Sequence, residues 1–108
     1  MTVKELLENN SLSVITMPFP EREISGCYIG DLLSWVMGRA EEGDCWITIM
    51  SNVNTIAVAT LTGVACVILA EGVALDADAL KKAEENGINV LSSSVSAFET
   101  SRIFGGAF

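Results

Sequence analysis

Apolar and polar positions along this chain follow two rhythms. Short apolar runs alternate with longer amphipathic ones, and Gly, Asn and Pro mark the joins. Thr2 through Glu8 reads as a short helix with Leu6 and Leu7 turned inward. Leu12–Thr16 reads as a strand, stopped by Pro18 and Pro20. A loop over Phe19–Glu23 then leads to a short extended piece, Gly26–Ile29. Asp31 has the chemistry of an N-cap for a helix running through Arg39. On that helix Leu32, Leu33, Val36 and Met37 share one face, and Gly38 and Gly43 bracket its end. Cys45–Met50, β-branched and aromatic, is a strand.

Residues 52–63 carry two signals at once. Val53, Thr55, Ile56 and Val58 favour a strand, whereas Asn54 at the cap position, the paired alanines and Gly63 at the end favour a helix. A helix preserves the alternation on either side and is the reading adopted. Val64–Leu69 is a near-continuous apolar strand, as expected of one buried on both faces of a parallel sheet. Asp76 caps a helix over Ala77–Asn86, with Asp78 and Lys82 spaced to pair and Gly87 as its terminator. Ile88–Leu91 is the last strand. Ser94 or Ser96 opens a final helix through Phe104, anchored by Phe98 and Ile103. Strands alternating with helices imply right-handed crossovers and a three-layer α/β domain, its mostly parallel sheet flanked by helices. Residues 1–108 are expected to form one such domain.

Composition narrows the function. Six basic residues against fourteen acidic ones give a net charge of −8, which argues against nucleic acid and anionic membranes as partners, since both select clustered Lys and Arg. The N-terminal residues lack a signal-peptide core, and the longest apolar stretch, Val64–Ala70, falls far short of the roughly 20 residues that span a bilayer. A cytoplasmic location is expected. Cys27, Cys45 and Cys66 are isolated in sequence, no C-x-x-C occurs, and there is no histidine to complete a mixed metal site. Buried free thiols are the expected outcome.

Enzyme signatures fail one by one. Gly38–Gly43 has the glycine spacing of a phosphate-binding loop, but Asp44 and Cys45 stand where Lys and Ser or Thr are required. No G-x-G-x-x-G or G-x-S-x-G is present, and without histidine the usual general base is missing. Glu41–Glu42 and Glu84–Glu85 read as solvated helix ends. No catalytic residue, cofactor or metal ligand is assigned. What remains is a set of polar residues at the C-terminal ends of the expected strands, the edge where open α/β sheets bind ligands. Ser51, Asn52 and Asn54 follow one strand, Glu71 and Gly72 the next, and Ser92, Ser93 and Ser94 the last. They can hold a nucleotide-like or phosphorylated molecule, or they can supply ordinary caps and turns. Trp35, off the main apolar face of its helix, and Met37 are candidates for an interface, which Met17, Phe19 and the apolar tail from Ile103 to Phe108 would extend.

Gly26-Cys27-Tyr28-Ile29-Gly30-Asp31-Leu32-Leu33-Ser34-Trp35-Val36-Met37 resembles the opening motif of DRTGG domains. Trp46–Ile49, Asn54–Ala59, Gly87–Leu91 and Ala97–Glu99 match in order and spacing. The resemblance implies a fold similar to the N-terminal domain of HPr kinase/phosphorylase, no catalytic activity, and roles in regulation and subunit association. It also implies a helix at Asn54. Two departures stand out. Glu21–Gly26 replaces the literal Asp-Arg-Thr-Gly-Gly, and Asn52 occupies a position where the family often carries His. The expectation is a regulatory module, a homodimer, binding a small ligand. The alternative is a pure interaction domain docking onto a partner enzyme.

Overall fold

The computed structural model describes residues 1–108. Five strands, β1 (Leu12–Thr16), β2 (Gly26–Ile29), β3 (Asp44–Thr48), β4 (Cys66–Leu69) and β5 (Val90–Ser93), form one sheet in the order β1-β5-β4-β3-β2. The strands from β2 to β5 are parallel, and β1 closes one side antiparallel to β5. Four helices, α1 (Leu33–Arg39), α2 (Val53–Thr62), α3 (Ala77–Asn86) and α4 (Ala97–Ser101), cover the sheet with 3₁₀ turns at Lys4–Glu8 and Arg102–Phe104. The three-layer α/β arrangement read from the alternation is the one observed.

Period-two alternation sorts the central strands between two cores. Cys45, Ile47, Cys66, Ile68 and Leu91 meet Val3, Leu6 and Phe104 on one face. Trp46, Val67, Leu69 and Val90 meet Val36, Ile56, Ala59, Ala79 and Ala83 on the other. All four residues of β4 are buried, which is why that strand reads as an uninterrupted apolar run. The ambiguous segment is helix α2. Thr55, Ile56 and Ala59 form its buried stripe, and Gly63 ends it at φ 74°, a left-handed position that favours glycine.

Several local expectations are corrected. Asn52, not Asn54, caps α2, accepting from the backbone N–H of Asn54 at 2.9 Å and of Thr55 at 3.3 Å. Asp31 does not cap α1; its carboxylate accepts from Thr48 Oγ1 at 2.8 Å and the Ile49 N–H at 3.0 Å, tying the β2–α1 connection to the end of β3. Only Val36 of α1 is buried, and Leu32 and Met37 are exposed because the helix lies beside edge strand β2 with no element over its outer side. β3 stops at Thr48, leaving Ile49 and Met50 in the following loop. Asp76 stands at the head of α3 but makes no capping bond, and Lys82 reaches Glu85 rather than Asp78. Ser96 caps the last helix, which ends at Ser101. Phe98 faces solvent, and Phe104 takes the anchoring place expected of it, with Ile103 packed beside it.

The cysteines, far apart in sequence, line up across three parallel strands, with Cys27 opposite Cys45 and Cys45 opposite Cys66. All three are free thiols, and Cys66 donates to Cys45 Sγ at 3.3 Å. Burial, reinforced by the negative charge of Asp44 and by Cys66, pushes the Cys27 thiol from 9.0 up to about 11. Burial pushes Cys45 well above the ordinary thiol value, with its bond to Cys66 adding to the effect.

Candidate functional site

At the C-terminal edge of the sheet, the polar residues singled out by sequence engage one another. Ser93 is fully buried. Its hydroxyl lies 2.8 Å from Thr100 Oγ1 and accepts from the Val95 N–H at 3.3 Å. The Glu71 N–H donates to Val95 O, and the Gly72 N–H to Ser93 O, both at 2.8 Å. The turn after β4 and the loop after β5 therefore hold each other. The Ser51 carbonyl accepts from the Asp76 N–H at 3.1 Å and the Ser51 hydroxyl donates to Asp76 Oδ1 at 3.5 Å, while Asn52 caps α2. Ser92 is half-buried; Asn54 and Ser94 are exposed. Asp31, Glu71 and Asp76 give the edge an acidic character that opposes phosphate. None of the three cavities in the molecule is lined by any of the eight candidates. The structure joins them in pairs and does not gather them into one concave site.

The opposite edge is different. A cavity of about 550 Å³ opens between the C-terminal ends of α2 and α3 and the segment Pro18–Arg22 that follows β1. That volume falls within the range of small-molecule sites. Ala59, Val64, Ala65 and Ile88 give it an apolar floor, and Thr60, Asn86, Glu21 and Arg22 give it polar rims. Its wall is built around a buried amide. Asn89, 2 % exposed, accepts from the Phe19 N–H at 2.9 Å and donates to Phe19 O at 2.8 Å and Ala65 O at 3.0 Å. The turn it clamps is closed by the Arg22 N–H on Phe19 O at 3.2 Å, which keeps the two Cα atoms within about 7 Å. Arg22 Nη2 donates to Gly63 O at 2.8 Å, beyond the last turn of α2. The Phe19 ring lies on Gly87 where a Cβ would stand 2.6 Å from Cε2, so only glycine admits the ring there. Gly87 is also left-handed, at φ 69°. Sequence reading left Phe19, Arg22, Asn86 and Asn89 out of the ligand site. The available signals were a phenylalanine between two prolines and an asparagine inside an apolar strand run.

A third surface lies across the sheet on α1. Ile29, Leu32, Trp35 and Met37 are all exposed, Trp35 by 53 %. The Arg39 guanidinium sits 3.7 Å above the Trp35 ring. Met17 and Phe19 follow β1, at the far side of a five-stranded sheet, about 19 Å from β2 at the usual strand spacing. They do not extend this face, contrary to the sequence expectation. The tail folds back, Phe108 stacking on Phe104 with ring centroids 5.6 Å apart.

These elements define the class: a three-layer α/β domain with one antiparallel edge strand. The model of the DRTGG domain family matches residues 21–106, and the chain belongs to that family. Among solved structures it is similar to the CBS and DRTGG domains of the regulatory region of Clostridium perfringens pyrophosphatase, determined with the activator diadenosine tetraphosphate. The TM-score is 0.72 at 17 % identity, over 94 % of this chain and 44 % of that one, so the likeness is one of fold. This chain thus spans less than half of that structure. No curated protein matches the sequence. No helix here is long and apolar enough to cross a membrane.

Proposed function

We propose that this chain is a non-catalytic regulatory module that binds a small nucleotide-like or phosphorylated ligand and self-associates. Family membership supports the regulatory role, and the fold shared with a nucleotide-activated regulatory region supports the ligand class. The observation that carries self-association is the uncovered face of α1. Leu32, Trp35 and Met37 are large apolar side chains in solvent next to an unpaired sheet edge, and a buried tryptophan or arginine is the typical anchor of a protein interface. Arg39 over Trp35 and Asp31 near the same patch make it self-complementary in charge as well as apolar. The same face supports a second reading, in which docking onto itself or onto a partner enzyme is the whole function.

Thermal unfolding against nucleotides and phosphorylated metabolites, paired with light scattering, separates the two. A ligand at 100 times its dissociation constant stabilises by about 2.7 kcal/mol, several degrees for a domain of this size. Such a shift, together with a dimer that Trp35→Glu converts to monomer, is the expected result. A flat panel with the same dissociation leaves the interaction reading alone. An oligomer unchanged by Trp35→Glu removes α1 as the contact.

A further inference from the structure

From the ligand-binding half of that function, on which this inference rests, we infer that the cavity between the ends of α2 and α3 is the ligand site and that it takes a nucleobase. Three features carry the assignment. The first is Phe19, whose ring is 61 % exposed. One side of its ring rests on Gly87, and the ring borders the cavity. A flat base stacks on such a platform whatever its sequence of heteroatoms.

The second feature is the way that platform is held. A buried polar side chain is costly unless all its groups are paired. Asn89 pairs both ends of its amide, and two of its three bonds go to the backbone of Phe19. The Val3 N–H on Arg22 O at 3.0 Å and the Lys4 N–H on Pro20 O at 2.9 Å fix the same turn from outside. An exposed aromatic is thus clamped on a rigid support, which lowers the ordering cost of binding.

The third feature is charge. α2 and α3 both end at the cavity, so the partial negative charge of their last turns lies beside it. Asn86 turns its Nδ2 to Thr60 Oγ1 at 3.3 Å, leaving its amide oxygen to accept. Carbonyls of this kind suit the N–H donors of an amino-bearing base. Arg22 at the mouth has one carbonyl partner and no carboxylate within ion-pair distance, and its remaining N–H groups suit a 5′-phosphate. Glu21 beside it, 4.0 Å from Lys4 Nζ, suits a ribose hydroxyl. The shared chemistry is the base, carried either by a nucleoside or by its phosphate.

The test is a residue-resolved NMR titration of the full chain with adenosine and, separately, AMP. Saturable shifts at the amides of Thr60, Gly63, Asn86, Gly87 and Asn89 are expected. Phe19→Ala should weaken both ligands by about tenfold or more, and Phe19→Tyr, which keeps the ring, should restore them. If the phosphate is read, AMP binds more tightly than adenosine, and Arg22→Gln removes the difference. Equal affinities assign the site to the nucleoside. Shifts confined to Asn52–Thr55 or Ser92–Ser94 would overturn the cavity assignment while leaving the ligand-binding function standing. No saturable shift with either probe at millimolar concentration overturns the nucleobase assignment, and the wider metabolite panel then decides whether the ligand-binding function falls with it.

Discussion

The two ends of the sheet use asparagines in opposite ways. At the C-terminal edge, Asn52 is half-buried and caps α2 locally, binding residues two and three positions along the chain. At the other edge, Asn89 is buried and holds a segment 70 residues away in sequence. The first edge is a set of short-range turns that fold their polar groups onto themselves. The second is a long-range clamp that leaves an aromatic ring and a guanidinium facing an open cavity. Polar residues at strand ends are therefore poor guides to a binding site unless their hydrogen bonds are counted; those already paired have little left for a ligand.

The largest effect expected from this contrast is at Asn89. Asn89→Ala strands the Phe19 N–H and takes a donor from the carbonyls of Phe19 and Ala65, a loss on the order of 3 kcal/mol in a urea unfolding curve. A loss below that of a simple surface change would mean that the turn is not clamped as described. Next comes Asn52→Ala, which should cost about 1 kcal/mol through the lost cap, whereas exposed Asn54→Ala should stay within about 0.5 kcal/mol of wild type. The reverse order would return the cap to Asn54 and reopen the C-terminal edge as a place with unpaired polar groups.

The smallest effect at neutral pH belongs to the sheet interior between the two edges, where the change shows only in alkali. Cys27 keeps its proton in the folded state to about pH 11 but would lose it near 9.0 once unfolded. Its contribution to stability is therefore complete below pH 9 and declines as pH rises from there through 11. Replacing Cys27 with Ala should flatten that alkaline decline. An unchanged slope would remove Cys27 as its cause and leave buried Cys45 as the thiol to replace next.

Much of this architecture was legible in the residues. The apolar runs at Leu12, Cys45 and Val64, the helix over Ala77–Asn86 and the glycines at 63 and 87 each state a local preference that the fold obeys. The near-continuous apolar run at Val64–Leu69 called for a strand buried on both faces, and the ambiguous segment at Asn54 resolved as helix because its buried positions recur at helical spacing. What the chain alone could not show is which residues meet. Cys27, Cys45 and Cys66 become neighbours only through strand register. Leu32 and Met37 have a helical apolar face, yet it stays in water because α1 lies at a sheet edge. Ser93 reads as a strand-end ligand group and is buried under Thr100. Phe19 reads as loop, but Asn89 and Gly87, both distant in sequence, make it the wall of a cavity. Local preference depends on a few neighbouring dihedrals and is written in consecutive residues, whereas a site depends on long-range pairings that exist only once the β1 and β5 strands have found each other.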